Sequence, residues 1–357
     1  MTRARTITIG ENEAGQRLDR FLRKLLTDVS LSAIYRLVRT RQVVLNGRKA
    51  RPEQRLELGQ VLTFFEAAEE KHLQPKLRRE PPGGRSSRRD FRVVFEDPSL
   101  LAVNKAPGVL VHAGDRGTER DTLIDQVTAW LLEQSERPEA GNLREFVKPS
   151  PTFAPSLVHR IDRQTSGIVL IGKTLPVTQA LASAIKHREI AKSYVALAVG
   201  GLPQREGTIA VPIARHEDAK GRRRKVETGH GQRAVTNYRV LSQRGQYTLV
   251  ELDLVTGRTH QIRAHLAHVG APLAGDDEYG SREHNRHATQ RLGLSRQFLH
   301  AARVQLTHPQ SGEALDLVAP LWPDLQECLR RAGFAPDDLP SWLRDATDQP
   351  PKGSHRE

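Results

Sequence analysis

Cysteine and long apolar segments are both scarce in this sequence of 357 residues. Cys328 is the only cysteine, which excludes an intrachain disulfide and any cysteine-based zinc or redox motif. No apolar run has the length of a membrane-spanning helix, and the N-terminal residues lack the apolar core of a signal peptide. These absences predict a cytoplasmic protein without a membrane partner.

Basic residues outnumber acidic ones, which leaves a large excess of positive charge. The chain has 55 Lys and Arg residues against 42 Asp and Glu residues, which gives a formal net charge of +13. Such an excess favours a polyanionic partner. Nucleic acid is favoured over a membrane surface, because no basic amphipathic anchor is present.

Residues 1–70 predict a small basic domain. Leu18, Phe21, Leu22 and Leu25 follow helical spacing, and a second helical pattern begins at a serine of the capping type. The stretch VVLNGRKA then predicts a strand that turns at Asn-Gly. Together these elements resemble the alpha-L RNA-binding module of a ribosomal small-subunit protein. The alternative is an ordinary small domain with solvated arginines.

The rest of the chain divides by composition. Residues 71–90 combine Pro, Gly, Ser and many cations, which predicts a flexible basic linker. Residues 91–335 contain many strand-like segments and fewer helical ones, so we expect a mainly antiparallel α+β domain. Within it, residues 133–156 look like a mobile insertion, and residues 336–357 predict a disordered tail.

Four stretches contain the polar residues that suggest chemistry. They are NKAPGVLVH (104–112), HRIDRQTSG (159–167), KSYVAL (192–197) and LVTGRTHQIRAHL (254–266). Each has an ordinary explanation on its own, such as a surface turn for the Asp between two arginines. The histidines 260, 265 and 268 have no acidic or cysteine ligand at a standard spacing, so no metal site is predicted.

Taken together, the four stretches resemble the RluA family of pseudouridine synthases, and most of all its RluC-type branch, which modifies large-subunit ribosomal RNA. The resemblance implies that Asp162 is the catalytic carboxylate, that Tyr194 lies against the target base, and that Arg263 meets Asp162. Two departures from the family pattern are visible. Ile161 stands where Leu is usual, and NKAPG replaces the commoner order NKPAG.

The implied reaction explains why an acid is placed among cations. Converting uridine to pseudouridine breaks the N1–C1′ bond, turns the uracil and joins C5 to C1′, so no cofactor is needed. An ionised carboxylate then acts either as a nucleophile or as a base toward the sugar, and the sequence leaves both routes open. A guanidinium nearby keeps a desolvated carboxylate charged, and its planar fork suits that task better than lysine does.

Further residues are assigned to substrate binding as hypotheses. Arg160 is placed to fill the position of a flipped-out nucleotide or, equally, to contact a phosphate. Lys105, Arg258 and His260 lie in the matching stretches, and the basic runs at residues 85–92 and 220–225 suit phosphate binding. We expect ribosomal RNA as the partner of a monomer. Two alternatives are an inactive RNA-binding or ribosome-assembly protein and a glycoside-type hydrolase, although the latter requires a second carboxylate.

Overall fold

The computed structural model describes residues 4–26, 29–65, 88–113, 121–136, 150, 153–217 and 223–348. Most of the predicted linker and of the predicted insertion lies outside these residues. So do residues 220–222 of the second basic run and the chain beyond residue 348.

The N-terminal domain joins two helices to a small antiparallel sheet of strand order β1-β4-β2-β3. Its elements are β1 (Ala4–Thr8), α1 (Leu18–Leu25), α2 (Leu31–Arg39), β2 (Val43–Leu45), β3 (Arg48–Lys49) and β4 (Val61–Phe65). The four apolar residues predicted to lie on one face of α1 are all buried. Ser30 caps α2 by accepting from the amide of Ala33, and Asn46 and Gly47 both have positive φ, as a two-residue hairpin requires. The predicted elements of this domain are thus confirmed.

The larger domain is built on one sheet of ten strands, and a separate hairpin stands beside it. The sheet runs in the order β10-β13-β14-β9-β15-β8-β6-β5, with β16 paired to β15 and β7 paired to β8. Its strands are β5 (Phe91–Glu96), β6 (Leu100–Lys105), β7 (Ser156–Leu157), β8 (Ser166–Gly172), β9 (Ala191–Val199), β10 (Glu206–Ile209), β13 (Thr236–Arg244), β14 (Tyr247–Leu254), β15 (Leu299–Thr307) and β16 (Ala314–Val318). The hairpin is β11 (Ile213–Glu217) with β12 (Arg223–Thr228).

Among the strands that the structure describes, β8 and β15 are the one parallel pair of neighbours. The prediction of a mainly antiparallel α+β domain is therefore confirmed. Every residue of β8 is buried, as its unbroken apolar run suggests for a central strand covered on both faces. Gly167 lies where β8 meets β15, and a Cβ built there would come within 2.3 Å of the Ala301 carbonyl oxygen. Only glycine permits this close approach.

Helices cover both faces of the sheet. The larger domain contains α3 (Leu123–Glu136), α4 (Leu175–His187), α5 (Gln261–His268), α6 (Arg282–His287), α7 (Pro323–Arg331) and α8 (Ser341–Arg344). Alternate strand residues face opposite sides, so Tyr194 and Ala196 pack in the same core as apolar residues of α3 and α5, whereas Val195 and Leu197 pack with those of α7. None of the described helices is both long and apolar enough to cross a membrane.

The C-terminal boundary differs from the prediction. Residues 336–348, predicted to begin a disordered tail, form two 3₁₀ turns around the short helix α8. Leu343 is fully buried in the core cluster that α7 shares with the sheet. The segment has few large apolar residues, but Leu339, Trp342 and Leu343 suffice to anchor it. The folded domain therefore extends to at least residue 348.

Candidate active site

Asp162 lies on the loop that leads into the central strand β8. Its side chain is 21% exposed, so it is partly shielded from water and still open to a substrate. The Thr165 amide donates to the Asp162 carbonyl oxygen over 3.1 Å, which tightens the loop. Across the loop, Arg163 and Gly108 are joined by two hydrogen bonds of 2.9 Å, each accepted by a carbonyl oxygen. The main chain from Asp162 to Thr165 is therefore fixed.

Arg263 faces Asp162 from helix α5. Its Nη1 atom lies 3.6 Å from Asp162 Oδ2, and the arginine side chain is only 8% exposed. The rest of the guanidinium is held by Asp276, through Nε and Nη2 at 2.8 Å each, and by Glu278 at 3.0 Å. Burial acts to lower the pKa of Arg263, but the hydrogen bonds and charges of these acids outweigh it and raise that pKa. The guanidinium stays charged while it faces Asp162.

Asp276 and Glu278 were not among the predicted site residues. Asp276 is fully buried and also accepts from the amides of Glu278 and Tyr279. Burial acts to raise the pKa of Asp276, but the hydrogen bonds from Arg263 lower it below its ordinary value. The DDEYG stretch that contains both acids is visible in the sequence, but nothing in its spacing indicates that it folds back onto α5.

Tyr194 lines the apolar side of the site from strand β9. It belongs to the core cluster that also contains Ile161, Leu252 and Ile262, and 6% of its surface is exposed. Burial, and then the charge of Asp162, raise the pKa of the Tyr194 hydroxyl. The group is therefore a neutral phenol near Asp162, and its ring offers an apolar surface to a base.

His260 stands between two acids at the start of α5. Its backbone is left-handed, with φ of +54°, and its Nε2 atom lies 4.0 Å from Asp162 Oδ1. On the other side its Nδ1 atom lies 3.3 Å from both Glu278 Oε2 and the Tyr279 hydroxyl. The predicted substrate-binding residue His260 is thus within reach of the Asp162 carboxylate.

The two predicted arginines at the rim are exposed. Arg160 is exposed two residues before Asp162, and Arg258 is exposed at the end of the loop before α5. The Arg258 main-chain amide donates to Gln261 Oε1 over 3.0 Å, which orders that loop. Both residues are therefore accessible from solvent.

Lys105 is placed differently from the other predicted substrate-binding residues. It is fully buried, and its Nζ atom donates to the carbonyl oxygens of Ala106, Val109 and Arg163 at 2.7, 2.9 and 3.0 Å. Burial, and then the charge of Arg296, lower the pKa of Lys105 to about 7. This position does not favour a substrate contact. We infer instead that Lys105 supports the loop of Asp162 from below.

The buried lysine leads to a prediction about stability and pH. The pKa of Lys105 is about 7 in the folded protein and 10.5 in an unfolded chain, so between these values the unfolded chain binds one more proton. Unfolding then becomes harder as pH rises, by up to about 1.4 kcal/mol per pH unit. Between pH 7.5 and pH 9, the free energy of unfolding measured in urea should rise more in the wild type than in Lys105→Met, by about 1 to 2 kcal/mol. Equal gains in both proteins would contradict the buried position of Lys105.

Comparisons with known proteins show similarity to RNA pseudouridine synthases. Residues 99–268 match the family described as RNA pseudouridylate synthase, and residues 16–62 match the S4 domain. The ribosomal large subunit pseudouridine synthase C of Escherichia coli is 34% identical, over 91% of this chain and 95% of that protein. The protein of the same name from Pasteurella multocida is 32% identical, over 90% and 92%. Among solved structures, human RNA pseudouridylate synthase domain containing 4 is 25% identical, with a TM-score of 0.51, over 68% of this chain and 92% of that one.

Proposed function

Because this chain belongs to the RNA pseudouridylate synthase family, we propose that it converts specific uridines of large-subunit ribosomal RNA to pseudouridine. The observation that carries the proposal is the partly buried carboxylate of Asp162, which faces the Arg263 guanidinium and lies near the buried Tyr194. An RNA substrate of this kind suits a cytoplasmic protein. We also propose that the chain acts as a monomer.

We propose that the reaction depends on the charge of Asp162. Arg263 faces the negative charge of the carboxylate at 3.6 Å, and it is held in that position by Asp276 and Glu278. The carboxylate then either attacks the substrate as a nucleophile or removes a proton from the sugar, which are the two routes open to it. Tyr194 packs against the uracil while the base turns to present C5 to C1′. All atoms of the product come from the substrate.

The target uridine must leave the base stack to reach this site. A base in a helix is inaccessible to Asp162, so the nucleotide is flipped out, at a cost of a few kcal/mol. Arg160 is exposed next to the catalytic loop, and we propose that it contacts the RNA where the nucleotide has left or at a neighbouring phosphate. Arg258 and His260 extend this contact surface on the α5 side.

We propose that the N-terminal domain supplies a second RNA contact. A cavity of about 370 Å³ opens between α2 and the segment after β3, within the range of about 300–1,000 Å³ typical of ligand sites. Four cations line it, namely Arg36, Arg39, Lys49 and Arg51. Tyr35 stands beside them with 36% of its surface exposed, and its hydroxyl is fixed by Asp19 over 3.1 Å. A fixed ring among cations suits a stacked base with its phosphate.

Substitutions at Tyr35 separate stacking from charge. We expect Tyr35→Leu to weaken RNA binding by about 1–3 kcal/mol, the worth of one stacked base, without changing its salt dependence. Tyr35→Phe keeps the ring and serves as the control. Arg39→Gln should instead make the logarithm of affinity fall less steeply with the logarithm of salt concentration, by the amount expected for about one lost phosphate contact. Affinities measured at several salt concentrations test these results. Wild-type affinity in Tyr35→Leu would mean that no base stacks there.

Pseudouridine mapping tests the proposed function directly. Large-subunit ribosomal RNA from cells with and without this gene is compared, and purified protein is then added to the unmodified RNA. We expect specific uridines to lose their modification without the gene and to regain it in the purified reaction. An unchanged map would contradict the proposed substrate and favour the alternative of an RNA-binding or assembly protein.

A further inference from the structure

Arg296 is a buried cation that the proposed chemistry does not use. It precedes strand β15, and only 5% of its surface is exposed. Its guanidinium is bound to Asp324, through Nε at 2.6 Å and Nη2 at 3.1 Å. The remaining donors point to the segment that follows Asp162. Nη1 donates to the Gln164 carbonyl oxygen over 3.0 Å, and Nη2 donates to Ser166 Oγ over 3.2 Å.

We propose that Arg296 is a positioning residue for Asp162, which it holds in place through the main chain of the catalytic loop. The proposal rests on the catalytic role of Asp162 set out above. The Arg296 guanidinium donates hydrogen bonds to Gln164 and Ser166, which lie two and four residues after Asp162. It contacts neither the carboxylate nor the open side of the site. Arg296 therefore affects the position of the carboxylate.

Neighbours of Arg296 hold the same segment. Gln297 donates from Nε2 to Thr165 Oγ1 over 3.2 Å, and the Ser166 hydroxyl is 2.9 Å from His300 Nδ1. Burial lowers the pKa of His300 to about 4, so the ring is neutral. Its Nε2 donates to the Ala319 carbonyl oxygen over 3.0 Å, and Nδ1 therefore accepts from the serine. Three successive residues after Arg163 are thus bound by the segment around residues 296–300.

The loop is held from its other side by Lys105. The Nζ atom of Lys105 donates to the Arg163 carbonyl oxygen, and Arg296 donates to the next carbonyl oxygen, that of Gln164. Two buried basic side chains from distant parts of the chain therefore bind consecutive peptide groups. Because the carbonyl oxygens of Arg163 and Gln164 are both held, the neighbouring Asp162 has little freedom to shift. A displacement of about 1 Å at a reacting group costs about 100-fold in rate.

Asp324 connects this arrangement to the C-terminal part of the chain. It lies in the first turn of α7, and its side chain is 38% exposed, whereas that of Arg296 is 4% exposed. The acid orients the guanidinium from the solvent side, so that the other donors reach the catalytic loop. Helix α7 thus contributes to the position of Asp162, although it lies on the opposite face of the sheet from Tyr194.

The test compares Arg296 variants with a variant of Lys173, a matched buried basic residue away from the catalytic loop. Lys173 follows the far end of that strand, is 6% exposed, and binds Glu96 at 3.0 Å and the Asp97 carbonyl oxygen at 2.7 Å. The full-length variants are Arg296→Gln, Arg296→Lys and Lys173→Met. For each, the single-turnover rate at saturating RNA, the RNA affinity and the melting temperature are measured. Rates are given per folded molecule.

We expect Arg296→Gln to lower the single-turnover rate about 100-fold, with RNA affinity unchanged. Arg296→Lys keeps the charge but cannot reach Asp324 and the loop together, so its rate should also fall. Lys173→Met should have a lower melting temperature than the wild type but the same single-turnover rate. A structural role alone would lower the melting temperature of all three proteins without this difference in rate.

Two results would overturn the proposal. One is a wild-type rate per folded molecule in either Arg296 variant, and the other is an equal loss of rate in Lys173→Met. If Arg296→Gln does not fold, the single-turnover rates of Arg296→Lys and of Asp324→Asn, at a more exposed residue, test the proposal. Both rates should then be lower than that of the wild type. Failure of the proposed function is a separate outcome, because the wild-type protein would then form no pseudouridine.

Discussion

Asp162→Asn should abolish pseudouridine formation, with a loss of at least about 10⁴-fold in turnover, while fold and RNA affinity are kept. The amide has nearly the same shape as the carboxylate, and the side chain is partly exposed, so we expect the fold to tolerate the change. What is lost is the negative charge that faces Arg263 at 3.6 Å, and with it the nucleophile or base. Purified protein is incubated with unmodified large-subunit RNA, and pseudouridine is counted.

A matched change elsewhere controls for the loss of one negative charge. Asp316 forms a surface ion pair with Arg303, near the far end of β15, and its side chain is 45% exposed. Asp316→Asn should keep both turnover and affinity, because a surface pair contributes little. Turnover near the wild-type level in Asp162→Asn would remove Asp162 from the mechanism.

Arg263→Lys should lower turnover by about 10²- to 10³-fold with little change in RNA binding. Lysine keeps the positive charge, but its single ammonium group cannot bind Asp276 through two parallel hydrogen bonds and also face Asp162. Asp276 is fully buried, so the variant should also lose stability because that acid is left poorly paired. Single-turnover rates, affinities and melting temperatures measure the three effects.

The control for this change is Arg239→Lys. Arg239 pairs with Glu251 at the sheet surface, and its side chain is 53% exposed. We expect that substitution to leave turnover and stability nearly unchanged. If Arg263→Lys lost affinity but kept its turnover rate, Arg263 would be a phosphate contact and would not be the partner of Asp162.

The local parts of this structure were predictable from the sequence, because local patterns determine them. The helices of the N-terminal domain follow from the spacing of their apolar residues, and the turn at Asn46 and Gly47 follows from residues that accept positive φ. The apolar run of β8 indicated a buried strand. The resemblance to the pseudouridine synthases paired Asp162 with Arg263, which the structure places 3.6 Å apart.

The supports of the site were not predictable, because they depend on contacts between distant segments. Asp276 folds back onto Arg263, and Arg296 approaches Gln164 across the parallel pairing of β8 with β15. Lys105 was assigned to the substrate because it lies in a matching stretch, whereas its position under the loop depends on the path of residues 106–109. Residues 336–348 were wrongly predicted to be disordered, because the three apolar residues that anchor them are too few to change the composition of the segment.

The central position of β15 also orders events during synthesis on the ribosome. The N-terminal domain closes when β4 pairs with β1, so residues 4–65 complete it early. The catalytic loop lacks the support of Arg296 until β15 and then Asp324 have emerged. At about 5–20 residues per second, the whole chain takes tens of seconds to make. A nascent chain therefore has a folded RNA-binding domain well before it can catalyse, and we expect it to gain activity only after Asp324 has emerged.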